Sequence, residues 1–186
     1  MLILASNSPR RKELLDMLGY EFEIKPADCD ESTTITNPEL LVKELSLRKA
    51  RAVFLNNDDT VIGSDTVVAI DGKILGKPKD TADAEAMLML LSGKTHTVFT
   101  GVTIIKGNTE KTDCVACDVE FKKKKKKEIT DYINTNEPMD KAGAYAIQGK
   151  GSAFVKKING DYFAVVGFPC CYVNETLNKL GIFPTK

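Results

Sequence analysis

Apolar positions open the chain as one short unbroken run, Leu2 to Ala5, which reads as a buried strand. Behind it, Ser8-Pro9 supplies a cap and a first helical residue. Arg11, Leu14, Leu15 and Leu18 then fall at helical spacing, and Gly19 provides a left-handed stop. A strand near 21–26 and a polar loop from 27 to 37 follow. Asn37-Pro38 repeats the cap-and-proline signal and starts a long helix to about Leu55, whose buried side is read as Leu41, Val42, Leu45, Ala52 and Val53. Residues 60–70 are rich in β-branched side chains, and Asp71-Gly72 turns that strand onto 73–75. Asp80 caps a helix ending near Gly93. Two long strands, about 95–106 and 109–121, flank a Gly107-Asn108 turn, and a short helix covers about 127–134. Asn159-Gly160-Asp161 predicts a third hairpin over 152–166, and a last helix covers about 169–180.

The order begins strand–helix–strand–helix–strand and then turns to hairpins. This predicts an α/β fold: a mixed, largely antiparallel sheet with helices packed on it. The 186 residues show no internal repeat and no linker-like stretch, so they read as a single domain, with room for two lobes around a cleft.

Composition narrows the function classes. Lys+Arg and Asp+Glu both number 26, which removes the positive excess expected of a nucleic-acid binder. No apolar run approaches the roughly 20 residues needed to span a bilayer. The apolar start has no basic flank of the signal-peptide kind, so the expected compartment is the cytoplasm. Five cysteines, an odd number, argue against a disulfide framework. Cys114 and Cys117 have metal-site spacing but fall within a strand, where residues three apart face opposite ways, so they are read as ordinary strand residues. Lys122 to Lys127 is an unbroken lysine run. A phosphate or nucleic-acid patch is one reading; an exposed, solvated turn leading into a helix is the preferred one.

Three segments carry candidate chemistry. In Ala5-Ser6-Asn7-Ser8-Pro9-Arg10-Arg11 a strand runs into a polar loop and a helix N-terminus, an anion-favouring end. Arginines in a first turn are electrostatically unfavourable unless something negative lies nearby; a bound phosphate or acidic neighbours would each serve. In Val61-Ile62-Gly63-Ser64-Asp65-Thr66, a carboxylate interrupts an apolar strand, which is costly unless it is paired or binds a metal; the alternative is a strand end and turn cap. Gly76-Lys77-Pro78 places a lysine beyond the following hairpin. Asp140 to Gly149 holds two glycines and three alanines in ten residues, permitting close backbone approach. Within it Gln148 offers a donor and an acceptor suited to reading a base edge, or else a satisfied amide in a buried strand. The lone histidine, His96, cannot run a Cys–His or Ser–His machine unaided and is read as structural or as a support behind the site residues, so a hydrolase here would use a carboxylate base, with a metal to help activate water.

Together these segments resemble the Maf family of nucleotide pyrophosphatases. The resemblance rests on Ala5-Ser6-x-Ser8-Pro9-Arg10-Arg11, Gly63-x-Asp65-Thr66, Gly76-Lys77-Pro78, Leu91-Ser92-Gly93 and Asp140 through Gly149. Lys156 to Tyr162 and Val166-Gly167-x-Pro169 complete it, in family order across nearly the whole chain. It implies an α/β architecture with a mixed sheet, a cleft and inosine-triphosphatase-like topology. It implies Asp65 as proton acceptor near a divalent cation, Mg²⁺ or Mn²⁺, with Glu31 as the second acidic residue of the metal site. Arg11, Lys49 and Lys77 match phosphate-holding positions, and Ser6 and Ser8 line the same loop. Arg10, Thr66 and Gln148 match positions that separate substrate branches, and here all three fit the branch acting on dTTP and UTP. The implied activity is hydrolysis of a nucleoside triphosphate to monophosphate and pyrophosphate, with a house-cleaning role on modified pyrimidine nucleotides; a homodimer is implied by the resemblance alone. One departure is local: family members carry a leucine and a serine or threonine before the helix near 128, where this chain has Lys124 and Lys125.

Two other readings stand beside this one. The first keeps the enzyme but prefers purine or methylated-guanosine triphosphates. The second is a non-catalytic nucleic-acid or septum-associated binding protein, supported by the lysine run and opposed by the zero net charge.

Overall fold

A computed structural model describes residues 1–185. Leu2–Leu4 (β1) is buried throughout and pairs in parallel with Glu23–Ile24 (β2) on one side and with the start of Thr60–Ile70 (β3) on the other. A strand with parallel partners on both edges needs helical crossovers. The chain supplies them as Pro9–Met17 (α1) and Pro38–Val53 (α2). Asn37 caps α2 as its sequence signals, its Oδ1 accepting from the Leu40 N–H at 3.0 Å. Beyond β3, Asp71 and Gly72 take positive φ and fold Lys73–Leu75 (β4) back antiparallel. The remaining elements are Thr81–Leu91 (α3), capped by Asp80, then Thr95–Lys106 (β5), Thr109–Phe121 (β6), Lys126–Ile133 (α4), Val155–Asn159 (β7), Tyr162–Val166 (α5) and Cys170–Lys179 (α6). Short 3₁₀ turns occupy Glu137–Asp140, Ala142–Ala144 and Lys150–Phe154. The seven-stranded sheet runs β2-β1-β3-β5-β6-β7, with β4 beside β3. It is mixed, as the sequence predicts.

Contacts divide the chain into two compact units. The first comprises Met1–Asp65, Thr100–Val115 and the chain from Gly167 onward; the second comprises Thr66–Phe99 and Ala116–Val166. In the first, Ile3, Ala5, Ala50, Val53, Val61 and Ile105 form an apolar cluster under α2. In the second, a larger cluster includes Val68, Leu88, Phe121, Ile129, Tyr145 and Phe154.

Three local expectations are corrected. The hairpin over 152–166 is not one: its first arm is β7, which pairs antiparallel with β6, but 162–166 is helix α5. Asp161 decides this, its Oδ1 accepting from the Phe163 N–H at 2.8 Å, the contact of a helix start rather than a turn between strands. Ser8 stands at the cap position of α1, but its hydroxyl makes no capping hydrogen bond. On α2, Ala52 is exposed and Ala50 is the buried alanine.

The lysine run is partly structural. Lys122, Lys123, Lys125, Lys126 and Lys127 are exposed, as expected of a solvated turn, but Lys124 is not. Its side chain is 15% accessible, with Nζ 5.4 Å from the Phe154 ring centroid and 3.5 Å from Glu128. The lysine stem covers apolar surface while its ammonium reaches outward. Lys125 contributes its backbone to the start of α4, donating N–H to Glu128 Oε2 at 2.8 Å.

Candidate active site

Gly63 is the residue that lets the site assemble. A Cβ there would stand 2.3 Å from the Ser46 carbonyl oxygen and 2.7 Å from the Ala50 nitrogen. Glycine in a strand interior marks close approach of another backbone, and here it lets α2 lie directly against β3. Lys49, adjacent to Ala50, thereby meets Asp65, two residues beyond Gly63. Lys49 Nζ lies 2.6 Å from Asp65 Oδ1 and 3.1 Å from Glu31 Oε1. Asp65 is buried, at 8% exposure, so the carboxylate that interrupts the apolar run is paired, as its cost requires. Glu31 is exposed, on the loop before α2.

Arg48 fixes that loop. Its Nη1 donates to the carbonyls of Asp30 at 3.1 Å and Ser32 at 2.8 Å, the two residues flanking Glu31. Its Nε binds Glu44 one helical turn back at 2.7 Å, which holds the guanidinium in place. Neither the role of Arg48 nor that of Gly63 was read from the sequence. A glycine inside a β-branched run is a readable signal for Gly63; nothing in the sequence marks which loop Arg48 would reach.

Arg11 organises the first loop. Its Nε donates to the Gly167 carbonyl at 2.9 Å, and its Nη1 to the Ser64 carbonyl at 3.0 Å and the Ser6 hydroxyl at 3.3 Å. Burial pushes its guanidinium below the usual arginine value, while the Asp65 charge acts in the opposite direction. Ser6 Oγ also accepts from the Ser8 N–H at 3.2 Å, and the Ser64 hydroxyl donates to Gly167 at 3.2 Å. Three protein acceptors thus hold Arg11 in place. Arg10 precedes it in the first turn of α1, half-buried.

Among the predicted site residues, Ser6, Ser8, Arg10, Arg11, Glu31, Lys49 and Asp65 all belong to the first unit. Thr66, Lys77 and Gln148 belong to the second. There, the Gly143 N–H donates to the Gly76 carbonyl at 3.1 Å, tying the turn that carries exposed Lys77 to the Asp140–Gly149 segment that carries exposed Gln148. Gly143 has φ +69° and lies so close to Val68 that a Cβ would come within 2.7 Å of its Cγ2. His96 is buried in the second unit. Its Nε2 lies 2.7 Å from the Tyr145 hydroxyl, its ring meets Phe121 edge to face, and burial lowers its pKa to about 4.

The acidic pair suits a divalent cation. Two carboxylates converge on one cationic point, the Lys49 ammonium, and both offer hard oxygen donors. Mg²⁺ characteristically uses one or two carboxylates and takes its remaining ligands from water and substrate phosphates. Among the described residues no three His, Cys, Asp or Glu side chains gather to hold an ion, so those other ligands would have to complete the shell. The described helices include none long and apolar enough to cross a membrane.

The model of the family described as "Maf-like protein" matches residues 1–180. The chain is 50% identical to the dTTP/UTP pyrophosphatase of Bacillus pumilus over 185 residues, 98% of each chain. It is 50% identical to the dTTP/UTP pyrophosphatase of Thermococcus onnurineus over 181 residues, 97% of this chain and 98% of the relative. It is 48% identical to a protein of the same name from Bacillus cereus over 183 residues, 97% and 96% of the two chains. This chain belongs to the Maf-like protein family.

Proposed function

We propose that the protein hydrolyses dTTP and UTP to the nucleoside monophosphate and pyrophosphate. The observation that carries this reading is the buried Asp65 held at 2.6 Å by Lys49, with Glu31 on the same ammonium. Its agreement with relatives named dTTP/UTP pyrophosphatase over nearly the full chain supports the substrate class.

In this reading a triphosphate approaches Lys49, whose positive charge is supplemented by Arg10 and by the N–H groups at the start of α1, and Lys77 is a further phosphate-holding residue by the family resemblance. Phosphate oxygens compete with the two carboxylates for the Lys49 ammonium. Asp65, released from part of that pairing, takes the proton of the water that attacks the phosphorus next to the nucleoside. Arg11 keeps the Ser6–Ser8 loop against Ser64 and Gly167, so the phosphate-facing backbone does not have to reorganise during reaction. Glu31 and Asp65 are the residues that would hold Mg²⁺ or Mn²⁺, which supplies charge neutralisation for the phosphates and the departing pyrophosphate. Arg10, Thr66 and Gln148 set the preference for a pyrimidine base. Nucleoside triphosphates are intracellular metabolites, and we accordingly place the reaction in the cytoplasm.

The lysine run gives the binding-protein reading little support. Lys124, Lys126 and Lys127 are paired with Glu128, Glu85 and Asp131, so half of the run's charge is met locally.

Product analysis tests the reaction. Incubation with dTTP should yield dTMP and pyrophosphate in equal amounts, with no dTDP at any time; stepwise release of orthophosphate through dTDP would contradict the proposed point of attack.

A further inference from the structure

The segment carrying Gln148 is held by a carboxylate that plays no part in the chemistry above. Glu137 Oε1 accepts from the Lys150 N–H and Oε2 from the Gly151 N–H, both at 3.0 Å. Its carboxylate also hydrogen-bonds the Tyr132 hydroxyl, which in turn accepts the Ala146 N–H at 3.0 Å. One buried phenol and one carboxylate therefore grip the backbone at 146, 150 and 151, on both sides of Gln148. Burial alone would raise the Glu137 pKa; the bonds from Tyr132 and from the Lys150 and Gly151 amides outweigh it and hold the group below the usual carboxylate range.

Gly149 and Gly151 are explained by the same grip. A Cβ at Gly149 would stand 2.0 Å from Glu137 Oε1, and one at Gly151 would stand 2.7 Å from the Tyr132 hydroxyl. The backbone has been stripped of side chains where the carboxylate and phenol enter. Gln148 itself is exposed, so its amide is presented outward from a backbone fixed on either side.

We propose that Glu137, acting with Tyr132, is a positioning residue for base discrimination: it fixes the backbone around Gln148 so that the amide meets the base in one orientation. This rests on the reading that Gln148 faces the base. Hydrogen bonds to a charged acceptor are among the stronger ones in proteins. Losing the charge while keeping the shape should therefore cost about tenfold in kcat/KM for dTTP, carried mainly by KM.

The test compares wild type, Glu137→Gln, Tyr132→Phe, Gln148→Ala and the Glu137→Gln/Gln148→Ala double variant. Each is assayed on dTTP, UTP and a methylated guanosine triphosphate, with amide hydrogen exchange followed in parallel. The expected result is faster exchange at Lys150 and Gly151 in Glu137→Gln and a flattened preference for pyrimidines. The double variant should be no worse than Gln148→Ala alone, because both changes remove the same interaction. Tyr132→Phe keeps the ring in the core and should show a weaker form of both effects. Unchanged preference in Glu137→Gln despite faster exchange would overturn the positioning role, and so would unchanged exchange. If wild type prefers pyrimidines but Gln148→Ala leaves that preference intact, the base-reading assignment fails and the proposal falls with it. If wild type hydrolyses none of these nucleotides, the proposed function fails first, a result separable from both.

Discussion

Lys49 Nζ sits 2.6 Å from Asp65 Oδ1, and that pair exists because Gly63 lets the backbone of α2 touch β3. A cation on a helix and a carboxylate on a strand are brought together by the absence of a side chain. Gly63→Ala would place a methyl 2.3 Å from a carbonyl oxygen that cannot easily yield. We expect a loss of about 2–4 kcal/mol in unfolding free energy. Turnover should fall by more than the folded fraction explains, because the helix must shift away from Asp65. Urea titration alongside specific activity checks this; wild-type activity in the folded fraction would contradict the role given to Gly63.

Arg48 should affect the proposed Glu31–Asp65 metal site without touching it. Arg48→Ala frees the Asp30 and Ser32 carbonyls and with them the loop that carries Glu31. The expected outcome is about tenfold weaker activation by Mg²⁺, with little change in maximal turnover at saturating metal. A titration of activity against Mg²⁺ concentration checks it, and an unchanged midpoint would show that the loop is held by other contacts.

His96 gives the fold an acid limit. Its pKa is about 4 in the folded protein against an ordinary 6.5, because burial disfavours the imidazolium, and Nδ1 has no hydrogen-bond partner among the described residues. The unfolded chain therefore binds a proton that the folded chain refuses. The stabilising contribution is complete above about pH 6.5 and is lost as pH falls from there towards 4, amounting to about 3 kcal/mol. Denaturation midpoints at pH 7 and pH 4.5 measure it. His96→Gln should remove most of that slope, whatever it does to stability at pH 7.

Lys124 stands where an apolar residue would serve as well. Its stem is packed beside Phe154, and its backbone N–H, donated to Ser92 Oγ at 2.7 Å, is indifferent to the side chain. Lys124→Leu should be neutral or stabilising by up to about 1 kcal/mol. Lys122→Ala and Lys123→Ala, both exposed, should each stay within about 0.5 kcal/mol of wild type. Thermal unfolding of the three variants checks this, and a large loss in Lys124→Leu would show that the Glu128 pair matters more than the buried stem.

Most of the fold could be read from punctuation. Asn37-Pro38, Asp71-Gly72 and Asp80 act where their local chemistry says they should, because caps and tight turns are decided by a few adjacent residues. The apolar stretch Tyr162 to Val166 reads as a strand because β-branched and aromatic residues suit strands, whereas a single Asp161 contact starts a helix. The site was legible as residue types: a carboxylate inside an apolar strand, arginines in a first turn, glycines around an amide. What could not be read was which residues hold others in place. Arg48 reaches back sixteen residues to Ser32, and Glu137 reaches forward thirteen to Lys150. Such partnerships depend on where loops lie once the sheet has formed, and no local pattern records them.

We propose Asp65, held by Lys49, as the proton acceptor in pyrophosphate release from dTTP and UTP. The most direct measurement is pyrophosphate release from a panel of nucleoside triphosphates by wild type and Asp65→Asn, with Mg²⁺ and with a chelator, on protein whose folding is verified by circular dichroism. We expect metal-dependent release favouring dTTP and UTP in wild type, and a loss of at least about 100-fold in the folded variant. Full activity in Asp65→Asn, or no release from any nucleotide by wild type, would contradict it.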